Sequence, residues 1–292
     1  MSPLTALLLV TSVFCSTARA VFSKKLGVIS DGKREFFKTQ AELFFIAAAV
    51  ILILNVKGMC LPSAKTVLFG VAYGIFTMLA QWLYTVALGK MPVSVCAMVY
   101  SFGFIIPTVF GTIAWNESIG AFKIISVLLC IVTIVLSSFK SGGDDKKSEV
   151  GAVLPLVISM IASGGLGVVQ KFQQKSDYSS EIGAFLLIAF LLAGIVSIIF
   201  ALFAKNETEA TENRKQGLYI SVVIVGAAMA AANIANTLLA GRLPSVIAFP
   251  ITNVGVTLAS LFVSVIFLKE KISKRQIFAM VAGIAAVIMF NF

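Results

Sequence analysis

The stretch Gly89-Lys90-Met91-Pro92 returns 152 residues later as Gly241-Arg242-Leu243-Pro244. Each copy follows one apolar segment and opens another. About 25 residues further on, both new segments end at a Glu-x-Ile sequence, which is Glu117 to Ile119 in the first copy and Glu270 to Ile272 in the second. The shared order of small residue, proline, apolar run and Glu-x-Ile predicts that the chain is an internal duplication.

The composition is that of a membrane protein. Hydrophobic residues make up 59% of the chain, charged residues 12%, and the mean hydropathy is +1.01. A helix needs roughly 20 mostly apolar residues to cross a bilayer. Ten segments fit this length, at about 4–22, 36–56, 66–88, 92–114, 122–139, 150–170, 182–203, 218–240, 244–268 and 274–290. The sequence therefore predicts an all-α polytopic membrane protein with ten transmembrane helices.

The duplication divides the ten segments into two sets of five. It predicts a first five-helix repeat over residues 1–140, a polar linker over 141–149 and a second repeat over 150–292. An odd number of spans in each repeat inverts the second repeat relative to the first. The sequence predicts two inverted five-helix repeats.

Segment 1 has features of a secretory signal, because an apolar run is followed by Ala18-Arg19-Ala20. No Lys or Arg precedes the run, however. The segment also has a partner in the second half, since an offset of 147 aligns Ser16 with Ser163 and Lys24 with Lys171. We expect segment 1 to be a retained helix.

The basic residues predict an orientation in the membrane. Sixteen Lys and Arg lie at one set of alternate loops and helix ends, and six lie at the other set. Since cytoplasmic loops carry the excess of Lys and Arg, the richer set is predicted to be cytoplasmic, with both termini outside a cell (inner) membrane. This orientation rests on charge counting alone. The net charge of +10 is spread over the loops without a dense basic patch, so no nucleic-acid partner is expected.

Polar residues recur on one face of several segments. Residues spaced by three, four or seven share a helix face, and polar groups inside a bilayer are expensive unless they serve a function or find partners. Two alternatives to substrate binding remain. The hydroxyls can donate to backbone carbonyls of their own helix, and the aromatic residues can pack against neighbouring side chains. The candidate substrate-binding residues are Ser16, Arg19, Tyr73, Thr77, Gln81, Tyr84, Tyr100, Ser163, Asn233, Thr237, Asn253 and Thr257.

Four of these residues share one depth. Gln81 and Tyr100 lie about 11 Å from one membrane surface, at roughly 1.5 Å per helical residue. Asn233 and Asn253 lie at a similar depth from the other surface. In a hydrocarbon core about 30 Å thick, all four approach the midplane. We therefore predict a central pocket that contains them.

Arg19 has three alternative positions, and in one of them its long side chain snorkels to the membrane surface. Arg19 and Glu42 lie at similar depths in segments 1 and 2, so they are placed to form an ion pair within the membrane. If Arg19 instead turns into the central pocket, it would attract anionic or zwitterionic substrates. Trp82, on the opposite side of segment 3 from Gln81, is expected to face lipid.

The duplicated layout of ten helices, with Gly-Lys/Arg-x-Pro before helices 4 and 9 and Glu-x-Ile before helices 5 and 10, resembles the drug/metabolite transporter superfamily, EamA-type. The resemblance implies a solute carrier whose cavity is lined mainly by helices 1, 3, 4, 6, 8 and 9. Members move amino acids, nucleotide sugars, choline and other small metabolites. Many members have Trp-Gly in helix 1, where this chain has Cys15-Ser16 nearby.

The predicted function is transport of a small polar metabolite by alternating access. Two alternatives remain, namely a flippase for a lipid-linked substrate, and an amine or choline carrier that uses Tyr73, Tyr84 and Tyr100 as a cage. An enzyme is not expected, because the chain has no histidine and no paired carboxylates within the segments. No cofactor or metal site is expected either. The expected partners are the small-molecule substrate and the lipid bilayer. The sequence does not specify an oligomeric state and is compatible with a monomer.

Overall fold

The fold is a bundle of long helices. The computed structural model describes residues 2–29, 32–55, 61–115, 121–122, 124–125, 128–129, 146–204, 212–266 and 274–289. The helices are α1 (Pro3–Ile29), α2 (Lys33–Asn55), α3 (Ala64–Leu88), α4 (Val93–Ser101), α5 (Ile105–Trp115), α6 (Lys146–Lys175), α7 (Ile182–Phe203), α8 (Glu212–Arg242), α9 (Ser245–Ile266) and α10 (Lys274–Met289).

Seven stretches within the described ranges are long and apolar enough to cross a membrane, and they coincide with predicted segments 1–4 and 6–8. Segments 9 and 10 are the helices α9 and α10. Most of segment 5, both Glu-x-Ile sequences, Cys60, Cys130 and linker residues 141–145 lie outside the described residues. Helix α6 begins at Lys146, inside the predicted linker. Within the described residues, the prediction of an all-α chain with several apolar spans is confirmed.

Predicted segment 4 is interrupted near its middle. A 3₁₀ turn at Phe102–Phe104 separates α4 from α5. Pro107 has no N–H to donate to the carbonyl of Gly103, four residues earlier, which weakens the α-helix at this turn. Gly103 also lies against α6, where an added Cβ would come within 2.6 Å of the Met160 carbonyl oxygen. The turn thus brings the backbones of α4 and α6 into direct contact. Helix α9 remains helical across Pro250.

Helices from the two halves of the chain pack against each other in matched pairs. Helix α1 packs on α8 and α9, and α6 packs on α3, α4 and α5. Helix α2 packs on α7 and α8, and α7 packs on α2 and α3. At Gly74, a Cβ would lie 2.7 Å from the Ala189 carbonyl oxygen, so α3 and α7 touch through their backbones. Gly70, four residues earlier, lies similarly close to Ile188, so the two glycines form the kind of GxxxG contact that lets membrane helices approach closely.

Trp82 does not face lipid, and the expectation that it would is wrong. Only 9% of this residue is exposed. Its ring makes edge-on contacts with Phe37 of α2 at 4.8 Å and with Phe200 of α7 at 5.3 Å between centroids. Trp82 itself is covered because α2 and α7 pack against each other beside it.

A carboxylate links the start of α3 to the start of α7. The Ser63 hydroxyl caps α3 by accepting a hydrogen bond from the Thr66 N–H at 3.2 Å. The Ser63 N–H donates to Glu181 Oε2 at 2.9 Å. Hydrogen bonds from Thr66 and from the Ser63 backbone lower the pKa of Glu181 below its ordinary value of 4.5. The ionised carboxylate therefore stabilises this junction.

This lowered pKa predicts an acid-dependent loss of stability. A group whose folded-state pKa is lowered contributes stability above its unfolded-state pKa and loses it as the pH falls through the folded-state value. We expect the thermal stability of the detergent-solubilised protein to fall more steeply than that of Glu181→Gln as the pH decreases from about 6 to about 3. Parallel pH profiles for the two proteins would contradict the assignment.

Candidate functional site

A polar cavity lies where α1, α3, α4, α6, α8 and α9 meet. Its volume is about 110 Å³ when measured as space for the centres of water molecules. One water needs about 10–15 Å³ by this measure, so the cavity has room for a small metabolite. Nine predicted residues line it: Ser16, Arg19, Tyr73, Thr77, Tyr84, Tyr100, Ser163, Asn233 and Asn253.

The other three predicted residues lie behind the cavity wall, each in contact with a residue that lines it. Gln81 accepts a long hydrogen bond from Arg19, and its Oε1 lies 3.5 Å from Nη1. The Thr237 hydroxyl accepts from Gln170 at 3.0 Å, and the Thr257 hydroxyl donates to Ser101 at 3.0 Å. These three residues position cavity groups and do not themselves face the cavity.

Arg19 faces the cavity and is not paired with Glu42. Its guanidinium carbon lies 5.2 Å from the centre of the Tyr100 ring and 5.8 Å from that of Tyr84. Glu42 is exposed on the outer side of α2. The two helices barely touch, because α1 packs on α8 and α9. The ion pair is therefore wrong, and of the three alternatives for Arg19 the position in the cavity is the observed one.

Gln81 contacts the guanidinium of Arg19 from behind the cavity wall. Its side chain is fully buried on α3. Its amide nitrogen donates to Thr85 at 3.1 Å and lies 3.4 Å from the Ser23 hydroxyl, which leaves the amide oxygen toward Arg19. A buried amide without these partners would carry a desolvation cost. The arrangement fixes the orientation of Gln81 and directs its amide oxygen toward the guanidinium.

A second hydrogen-bond network, centred on Tyr73, joins α3, α6 and α8 in the cavity wall. The Tyr73 hydroxyl donates to Asn233 and accepts from Gln170 at 2.8 Å. Gln170 also donates to Thr237 at 3.0 Å, and Asn233 donates to the carbonyl of Met229 at 2.7 Å. Because three helices share these bonds, the positions of the cavity amides depend on the packing of all three.

Further polar contacts tie the remaining helices to the site. Ser12 on α1 donates to Asn236 on α8 at 2.5 Å. Ser101 on α4 lies 3.5 Å from the carbonyl oxygen of Asn253 on α9. Thr77 is 3% exposed, and its hydroxyl has no hydrogen-bond partner among the described residues. Since a buried polar atom is usually satisfied, this hydroxyl is available to a solute in the cavity.

The candidate list omitted four polar residues of the cavity wall: Ser101, Gln170, Asn236 and Thr252. The repeat offset of 152 points to three of them. It aligns Tyr84 with Asn236, Tyr100 with Thr252, and Ser101 with Asn253. Gln170 lies seven residues after Ser163 and so shares its helix face. The sequence therefore contained a signal for each omitted residue.

An apolar groove lies on the other side of α1, between α1 and α9. Most of the residues that line it are aliphatic or aromatic, among them Val10, Phe14, Ile251 and Val263. Val13 and Gly255 close the gap between these helices, because a Cβ on Gly255 would lie 2.6 Å from a methyl carbon of Val13. Helix α1 thus separates this groove from the polar cavity.

The comparisons with known proteins agree with this architecture. The model of the EamA-like transporter family matches the chain twice, over residues 3–139 and over residues 150–292. A solved structure described only as "Crystal structure of protein" matches with a TM-score of 0.69 and 15% identity, covering 99% of this chain and 97% of the other. At this identity the likeness shows the fold alone. No curated protein matches significantly. The family match spans nearly all of the chain, and the protein belongs to the EamA-like transporter family.

Proposed function

We propose that this membrane transporter carries a small polar metabolite by alternating access through the polar cavity. The observation that carries the proposal is the position of the cavity, enclosed by helices from both halves of the chain. Carriers built from inverted repeats bind their substrates near the bilayer midplane, where the repeats meet. Six helices place hydroxyl, amide and guanidinium groups around this cavity, in a region where polar groups are expensive without a function.

The proposal includes ten transmembrane helices in two inverted five-helix repeats, over residues 1–140 and 150–292. The two family matches and the exchange of helix contacts between the halves support it. For example, the contact of α1 in the first half with α8 in the second corresponds to the contact of α6 in the second half with α3 in the first. In such carriers, one repeat moves against the other around the substrate site. Movement of one repeat against the other opens the site to one side of the membrane and then to the other, as alternating access requires.

An amine carrier with a tyrosine cage is less compatible with the cavity. A cage needs free aromatic faces to bind a cation. The Arg19 guanidinium already lies near the faces of Tyr84 and Tyr100, and it would repel a second positive charge. Tyr73, the third member of the cage, is held by Asn233 and Gln170. We therefore do not propose a quaternary amine as the substrate.

A flippase for a lipid-linked substrate is the second candidate, because the apolar groove runs beside the cavity. Such a substrate would place its acyl chain in the groove and its polar group in the cavity. We rank this function second because the contact between Val13 and Gly255 stands between the two spaces. A soluble metabolite needs no opening there.

Thiol accessibility tests alternating access. Ser16 lines the cavity, while its neighbour Cys15 does not. In a chain whose four cysteines are replaced by alanine, Ser16→Cys should react with a membrane-impermeant thiol reagent from both sides of sealed vesicles. The reason is that the cavity opens to each side in turn. The measurement is the labelled fraction after exposure of one side at a time.

The matched control is a chain that retains Cys15 as its one thiol, on the same turn of α1. We expect this thiol to react poorly from either side, since it lies outside the cavity. If Ser16→Cys were labelled from one side alone, with or without substrates, alternating access through this cavity would be wrong.

A further inference from the structure

Arg19 is the only charged residue among those that line the cavity within the described chain. No Asp or Glu of the described ranges lines this space. Glu42, at a similar depth, is exposed on the outer side of α2. A guanidinium in a membrane interior is costly unless a counter-charge compensates it. The cavity therefore has an uncompensated positive charge that a solute can neutralise.

The contacts of Arg19 leave hydrogen-bond donors free. A guanidinium has five N–H groups at the edges of a planar group. Among the described residues, the rings of Tyr84 and Tyr100 lie near the guanidinium of Arg19, which also has a side-chain hydrogen bond with Tyr100 and a long contact of 3.5 Å with Gln81. Arg19 Nε is buried and has no hydrogen-bond partner among the described residues. Ring contacts and free edges together suit a planar anion that accepts two parallel hydrogen bonds.

The remaining polar lining is uncharged. Ser163, Asn253 and Thr77, whose hydroxyl has no partner in the part of the chain that the structure describes, offer hydroxyl and amide groups. The side-chain amide of Asn253 donates to the Phe249 carbonyl at 2.7 Å, which fixes its orientation. The single positive charge of Arg19 balances one negative charge on a solute, so a dianion would leave one negative charge in the cavity unbalanced. The neutral groups suit the polar, uncharged part of the same solute.

We infer that the substrate is a small monocarboxylate whose carboxylate binds Arg19 between Tyr84 and Tyr100. Its polar remainder contacts the neutral groups on α3, α6 and α9. This inference rests on the proposed function, because it assigns a substrate class to the same cavity. Gln81 is a positioning residue, which acts on the carboxylate through Arg19.

The test is equilibrium binding to the purified full-length protein, measured by thermal shift and calorimetry. The probes are pairs that differ in one terminal group: lactate and lactamide, and benzoate and benzamide. We expect at least one carboxylate to bind more tightly than its amide. Arg19→Gln should weaken that binding by about 10- to 100-fold, because charge-assisted hydrogen bonds are lost. Arg19→Lys should retain part of the affinity.

Lys175→Gln is the matched control, since it removes a positive charge from the exposed end of α6. It should bind the carboxylate as the wild type does. A panel in which no carboxylate binds more tightly than its amide would overturn the inference, and so would unchanged affinity in Arg19→Gln. These outcomes are separate from failure of the proposed function, in which binding persists but Ser16→Cys reacts from one side alone.

Discussion

Replacing Asn233 by alanine is expected to reduce the transport rate by about 10-fold or more, equivalent to about 1.4 kcal/mol of lost interaction. The substitution removes an amide from the cavity wall. It also removes the acceptor of the Tyr73 hydroxyl, so Tyr73 keeps Gln170 alone. The measurement is the initial rate of solute exchange in proteoliposomes, normalised to the amount of folded protein.

Asn55→Ala is the control for this change. Asn55 also donates its amide to a carbonyl four residues earlier, at 3.0 Å from the Ile51 oxygen, but it lies at the end of α2, away from the cavity. We expect near-normal transport from this variant. If Asn233→Ala transported as fast as Asn55→Ala, the cavity wall of α8 would have no part in binding.

Replacing Lys171 by methionine is expected to produce the largest loss of stability among single substitutions of polar residues. Lys171 is 2% exposed, and its ammonium donates to the carbonyls of Ala240 at 3.0 Å and Leu243 at 2.9 Å. These carbonyls lie at the end of α8, where the helix has no N–H groups to satisfy them. Loss of charge-assisted bonds and the unsatisfied carbonyls should cost about 2–3 kcal/mol.

Lys175→Met provides the comparison, because Lys175 lies one turn later on the same helix and is exposed. The midpoint of thermal unfolding in detergent should fall by several degrees for Lys171→Met and change little for Lys175→Met. Equal midpoints for the two variants would mean that the bonds to the end of α8 contribute no net stability.

Helical spacing was sufficient to predict nine of the residues that line the cavity, although they are dispersed along the sequence. Polar residues on one face of a membrane helix avoid lipid, so their spacing reveals the direction of the interior. The spacing gave the correct side for Tyr73, Asn233 and Asn253. It could not separate Gln81, which lies behind the wall, from Arg19, which lies on it. That difference depends on side-chain length and on the buried hydroxyls of Ser23 and Thr85.

Sequence patterns could not predict contacts between helices that are distant in the sequence. Trp82 was expected to face lipid because it lies opposite the polar side of α3. Its burial depends on Phe37 and Phe200, and no local pattern predicts that α2 and α7 meet there. Arg19 and Glu42 share a depth, but α1 packs mainly on α8 and α9, and Arg19 lies against Tyr84 and Tyr100 of α3 and α4. Depth alone therefore could not select the partner of Arg19.

Solute counterflow in proteoliposomes tests the central claim, that this chain is a carrier, most directly. Vesicles are loaded with an unlabelled carboxylate that binds the protein, and a trace of the labelled compound is added outside. We predict that the label accumulates transiently above its equilibrium level, because one site faces each side in turn. The contradicting result is label accumulation no greater than in protein-free vesicles. It would have to hold for every carboxylate that binds the folded protein.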